Sequence, residues 1–296
     1  MGIVERIGIS LTKQANKEIV SKKLRGKHRF YLIYNDFDKQ FTFSYQCEHP
    51  VVFTRFECKG FSVIPSSTGI DCVSITGFES VFMRVVEDLY LGTKNIDSQH
   101  VERWIMKRLK RWRSFFEYHG AEKMSKEIQM GLFGELKTLL KFYEEGKTDA
   151  VLYWKGPTRE EHDFVLPNIR YECKVINTHK NTVKIHGALQ LYSEVPLVLR
   201  VYKVKVNEEG HSVHDLVSLC ESYILFEHEV LFEELLGKYG YISNQDDVFK
   251  FNLKEFIDYK VRDGFPRVPI INGIDNVEYR LKLECCEAYR FPPAGT

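Results

Sequence analysis

Within "NIRYECKVI", residues 168–176, Glu172 and Lys174 stand two apart, so a strand would turn both to one face. A carboxylate beside an ammonium can hold a cation and a water, which suits metal-assisted hydrolysis. Glu-x-Lys alone says little, since it occurs four times, beginning at Glu57, Glu135, Glu145 and Glu172. Glu-Cys-Lys itself occurs at 57–59 and at 172–174, so the surroundings must decide. Around the second copy, Ile169, Tyr171, Cys173 and Val175 make an apolar face, and Arg170, Glu172 and Lys174 share the other. Nine residues before Glu172 stands Asp163, and Pro167-Asn168 between them is turn-forming. A hairpin there returns Asp163 to the side of Glu172. Two adjacent carboxylates repel unless a cation lies between them, and an oxygen-lined pair suits Mg²⁺. No Asp precedes the copy at 57 in its own or the adjoining strand, and this copy reads as ordinary strand sequence.

The elements around these residues read as a mixed α/β chain. A helix over 124–145 carries Leu132, Leu136, Leu139, Leu140 and Tyr143 on one side, with Glu135 at the edge of that stripe. Glu135 is there either half-solvated or aimed into a site, and Gly131 and Gly134 allow close approach on its flank. Strands follow in "AVLYW", "DFVLP" and "IRYECKVI", then a short helical stretch near 187–193, the strand "PLVLRVYKVKV", a helix over 215–238 and a last strand "VEYRLKLECC". Upstream, residues 28–86 read as short aromatic and β-branched strands, followed by a helix over 80–91. A longer helix starts at Ser98 and buries Val101, Trp104, Ile105, Leu109, Trp112 and Phe116. Its other face carries Arg103, Lys107, Lys110, Arg111 and Arg113, suited to phosphates or simply to solvent. Arg170 is suited to substrate or to a neighbouring carboxylate. The expected division is a β-rich accessory domain over 1–97 and a second domain over 98–296.

Composition excludes several classes. Net charge is +1, so attraction to nucleic acid must come from local patches. No apolar run is long enough for a bilayer, and no membrane partner is expected. Seven cysteines without a CxxC pair argue against zinc and for reduced thiols in a cytoplasm.

With "GLFGEL", "HDF", "ECK" and "HGALQLY" in that order, the chain resembles the PD-(D/E)xK nuclease superfamily of restriction-endonuclease-like fold. More narrowly it resembles bacterial PD-(D/E)XK motif proteins met among restriction and phage-defence genes. "RWRSFF", "YWKGP", "LYSEVPLVLRVYKV" and "DGFPRVP…VEYRLKL" fit that layout, over about residues 100–290. The resemblance implies a central mixed sheet flanked by helices. It implies that Asp163 and Glu172 ligate Mg²⁺, with Mn²⁺ able to substitute, and that the main-chain carbonyl of Cys173 is a further ligand. Lys174 would orient or deprotonate the attacking water, Glu135 would serve a second metal or hold water, and Gln190 would support the site or touch the phosphate backbone. The family's Pro before Asp is His162 here. The implied activity is a Mg²⁺-dependent endonuclease acting on double-stranded DNA, a homodimer because one site cuts one strand, with room for a partner ATPase or methyltransferase. Two rivals stay open: a non-catalytic nucleic-acid-binding or assembly subunit, and an RNase or structure-specific nickase using the same residues.

Overall fold

The computed structural model describes residues 19–47, 51–119, 124–243, 248–274 and 277–291. Among them the chain is mixed α/β and divides into two compact units, Met1–Glu122 with Leu236–Asn244 and Lys123–Leu235 with Gln245–Thr296. No helix among these residues is long and apolar enough to cross a membrane.

The first unit is built on an antiparallel six-stranded sheet in the order β1-β2-β3-β6-β5-β4. Its strands are β1 (Ile19–Lys23), β2 (Arg29–Asn35), β3 (Gln40–Gln46), β4 (Phe56–Glu57), β5 (Phe61–Ser66) and β6 (Gly69–Ser74). Alternation turns Phe30, Leu32, Phe43, Phe61, Val63 and Ile70 into one core with helices α1 (Glu79–Gly92) and α2 (Ser98–Tyr118). α2 contributes Val101, Ile105, Leu109, Trp112 and Phe116 to that core, and Trp112 Nε1 donates to Asp88 Oδ2 at 2.8 Å. The helix expected to open the second domain at Ser98 therefore belongs to the first unit, and the division falls after it, because its whole apolar stripe is spent on this core.

The second unit contains a four-stranded sheet, β11-β10-β8-β7, from β7 (Phe164–Leu166), β8 (Ile169–Asn177), β10 (Leu197–Ser212) and β11 (Lys250–Val261). β8 and β10 run parallel and the other pairs antiparallel, so the sheet is mixed. A separate pair joins β9 (Thr182–His186) to β12 (Glu278–Lys282). Helix α3 (Lys126–Glu144) starts where Ser125 accepts from Ile128 N, and it ends before Gly146, at φ +81°. It packs on the Tyr171, Cys173 and Val175 face of β8, with Phe142 against Tyr171. Thr138 Oγ1 meets Cys173 Sγ at 3.2 Å and Tyr202 Oη at 2.8 Å. Gly134 permits this approach, since a Cβ there would stand 2.3 Å from Val175 Cγ2.

Three expected elements differ, one of them the last strand, which stops at Lys282 before a 3-10 helix over Leu283–Tyr289. "AVLYW" is a 3-10 turn, Ala150–Tyr153, with only Trp154 bridging to Phe164; consecutive Ala150 and Val151 are buried, which a two-residue alternation cannot do. The helix over 215–238 is two, α4 (Val213–Glu221) and α5 (Glu229–Tyr239), separated by a 3-10 turn at Phe226–His228.

Behind the sheet Arg200, 2% exposed, makes a bidentate pair with Asp258 at 2.7 and 2.6 Å, beneath the rings of Tyr171, Phe142 and Phe256. Arg200→Met should cost about 3 kcal/mol, since it strands the Asp258 carboxylate, whereas Arg200→Met with Asp258→Leu should recover most of that. Urea unfolding of the wild type and the two variants measures the difference.

Candidate active site

The hairpin forms around the two-residue turn Pro167-Asn168. Its register pairs Leu166 with Ile169, Val165 with Arg170 and Phe164 with Tyr171, so the next position sets Asp163 opposite Glu172. Asp163 is clamped from three sides: Cys173 N donates to its Oδ2 at 2.7 Å, and Lys155 N and Gly156 N donate to its main-chain oxygen at 2.7 and 3.1 Å. Glu172 is 1% exposed, and its Oε1 accepts from Lys174 Nζ at 2.7 Å. Lys174 Nζ also donates to Gln190 Oε1 at 3.1 Å, and that oxygen accepts from His186 N at 2.9 Å. Gln190 sits on a single 3-10 turn, Leu189–Leu191, rather than on a full helix.

The electrostatics follow from burial. Glu172 is pushed up to about 8, first by burial and then by the charge of Asp163, with Lys174 pulling the other way. Asp163 is also raised, by burial, against the pull of Lys174 and the Cys173 N–H. For Lys174 burial acts downward, but Glu172 and Asp163 outweigh it and hold the group as an ammonium. In this state Lys174 is a hydrogen-bond donor and a local positive charge.

The residues fit a hard divalent cation on two observations. Glu172 Oε2 is buried without a hydrogen-bond partner. A Cβ at Gly156 would stand 1.9 Å from Glu135 Oε2 and 3.1 Å from Asp163 Oδ1, so both carboxylates face one small space that any side chain at 156 would fill. Two carboxylates with water and substrate oxygens make an ordinary Mg²⁺ set. Among the described residues no three His, Cys, Asp or Glu side chains converge as a ready-made metal cage. Glu135 Oε2 accepts from the buried indole of Trp154 at 2.7 Å. Gly156→Ala is expected to displace the Glu135 carboxylate from the Trp154 indole and cost about 1–3 kcal/mol, and any metal-dependent activity of the site should fall on the order of 10–100-fold.

Other candidates fall elsewhere. Glu57 of the first Glu-Cys-Lys lies in a two-residue strand, exposed, 3.6 Å from Arg55. Arg103, Lys107 and Lys110 are half-buried on α2, in the unit that does not hold the carboxylates. Arg111 does not belong to a basic surface: it is 1% exposed, donates to Ser243 Oγ at 2.9 Å and lies over the Tyr241 ring, so it is unavailable to phosphates. Arg170 braces the hairpin turn by donating to the carbonyls of Leu166 and Ile169. His162 is buried, and burial lowers its pKa. Trp154 and Gly156 were missed as site residues, although "YWKGP" ahead of "HDF" marks where they stand.

A family model described as "Putative PD-(D/E)XK family member, (DUF4420)" matches residues 13–284. No curated protein and no solved structure matches the chain. The match spans both units and the whole carboxylate–lysine hairpin, and the family description points to nuclease-like chemistry. The chain belongs to the DUF4420 family.

Proposed function

We propose that this chain is an endonuclease that hydrolyses phosphodiester bonds of double-stranded DNA with Mg²⁺, or Mn²⁺ in its place. The observation that carries this reading is the buried, partnerless Oε2 of Glu172, set opposite Asp163 across a two-residue turn and beside the Lys174 ammonium. Asp163, Glu172 and the main-chain carbonyl of Cys173 would hold the cation. When bound, such a cation supplies a Lewis acid for the phosphate and a more acidic water. Lys174 Nζ has three N–H groups; Glu172 and Gln190 take two, and the third can orient the attacking water or steady charge on a phosphate oxygen. Glu135, fixed by the Trp154 indole, would hold water on the Gly156 side. Gln190 keeps Lys174 in place.

The same reading extends to a restriction-endonuclease-like core, with the β-rich first unit as an accessory for recognition or assembly. A homodimer would supply the second strand cut. A setting in restriction or phage defence, with a partner ATPase or methyltransferase, rests on the resemblance alone. The seven cysteines are all unpaired, as a cytoplasm would keep them.

The test is incubation of the purified protein with supercoiled and linear DNA, single strands and RNA, in Mg²⁺, Mn²⁺ or EDTA. Cuts or nicks in duplex DNA that need Mg²⁺ or Mn²⁺ support the reading. Product formed equally in EDTA, or binding without product on every polymer, would remove it, and cleavage of RNA alone would change the substrate.

A further inference from the structure

Ile270, Ile271 and Ile274 are 52, 53 and 53% exposed. Sixteen large apolar side chains are exposed among the described residues, and three of them fall within these five positions. Leu189, 44% exposed, adds a fourth beside Gln190, on the turn that holds Lys174. Isolated exposed apolar residues are ordinary, whereas a run of them on one loop marks a contact surface.

The loop is pinned rather than loose. Arg267 Nη1 donates to Leu191 O at 2.7 Å, and its guanidinium lies 3.9 Å from the centre of the Tyr192 ring. Tyr192 Oη donates to Val268 O at 3.1 Å. On the far side of the isoleucines, Gly187 N donates to Val277 O at 2.7 Å. At the tip, Ile274 N donates to Ile271 O at 3.2 Å, and Gly273 takes φ +82°, which favours glycine. Both flanks of the tip are therefore tied to the 187–192 stretch, whose Gln190 accepts from Lys174. The scaffold that holds the ammonium also presents the isoleucines.

A polymer with its scissile phosphate at Lys174 continues past the site on both sides, so the surfaces flanking the site meet nucleotides. Isoleucine offers nothing to a phosphate or a sugar hydroxyl. It packs on base faces, and apolar side chains entering a groove part the stack between base steps. From this we propose that the 267–274 loop, with Leu189, is a wedge that enters duplex DNA beside the cleaved bond and unstacks one base step. The choice of DNA rests on the nuclease reading above; the wedge itself does not require cleavage. Pyrimidine–purine steps open most easily, so cutting would concentrate next to TA and CA steps even without base-specific hydrogen bonds.

The experiment compares the full-length wild type with the variant Ile270→Ser/Ile271→Ser/Ile274→Ser. The probe is a set of duplexes carrying 2-aminopurine at successive positions, with Ca²⁺ in place of Mg²⁺. The wild type is expected to raise the fluorescence at one step, and the variant is not. In Mg²⁺ the variant should cut duplex DNA ~10-fold more slowly and lose its preference among steps. Fluorescence that rises equally with both proteins, or with neither, overturns the wedge. So does a variant that cuts at the wild-type rate and positions, or one that differs only in self-association, which would assign the tip to protein contact. A wild type that raises the fluorescence yet never cuts would overturn the nuclease reading and leave the wedge standing.

Discussion

Asp163→Ala is expected to lower Mg²⁺-dependent cleavage by ~10³-fold or more, the scale on which charge placed at a reacting phosphate is lost. The alanine variant has a second defect, because it leaves Cys173 N–H without its 2.7 Å acceptor. An orphaned buried donor costs about 1–3 kcal/mol, so part of any loss could be structural. Asp163→Asn separates the two effects. Its amide oxygen still accepts from Cys173 N, while the charge that would hold a cation is gone. Nicking rates and the Mg²⁺-induced rise in melting temperature should both vanish in Asp163→Asn, with the metal-free melting temperature preserved. An asparagine variant that cuts like wild type in Mg²⁺ would show that Asp163 is not a metal ligand.

Glu172→Gln should lose activity to the same degree while making the metal-free protein more stable. Glu172 is fully buried, and its folded value of about 8 lies above the ordinary 4.5. A carboxyl shifted upward binds its proton more tightly in the folded chain. Its contribution to stability is complete below 4.5 and is lost as pH rises toward about 8. Glutamine carries no charge to bury and can accept from Lys174 through its oxygen. In EDTA at pH 8.5 the variant should therefore exceed wild type by about 2 kcal/mol, and the gap should close by pH 5. Mg²⁺ should reverse the order, stabilising wild type and not the variant. Equal stabilities at pH 8.5 in EDTA would mean that burial does not raise the Glu172 carboxyl in the folded protein.

The site's centre was legible because it is local. Asp163, the Pro167-Asn168 turn, Glu172 and Lys174 lie within twelve residues, and a two-residue turn sets register by itself. Other parts depend on distant partners that no local period encodes. β11 was missed as a strand because its pattern is only half-buried, and its register is set by β10 some fifty residues earlier. β9 was missed because its partner is β12, nearly a hundred residues on. Arg111 read as part of a basic face because the helix repeat puts it at the edge of the apolar stripe; Tyr241 and Ser243, far along the chain, turn that edge into interior. Trp154 is buried, and its indole N–H reaches Glu135 through a 3-10 turn where a strand was expected. Sequence periodicity reports faces well and reports cross-chain partners hardly at all.

The ion pair of Lys174 with Glu172 has a consequence for how a cation would arrive. A tethered ammonium 2.7 Å from the carboxylate is already a counter-ion. On the proposed reading, loading the site is an exchange of one cation for another rather than the filling of a vacant charge. The competitor is part of the chain, so its effective concentration is high and does not follow the salt in the buffer. Occupancy should then track free divalent ion and depend only weakly on monovalent salt, while Lys174 would stay held by Gln190.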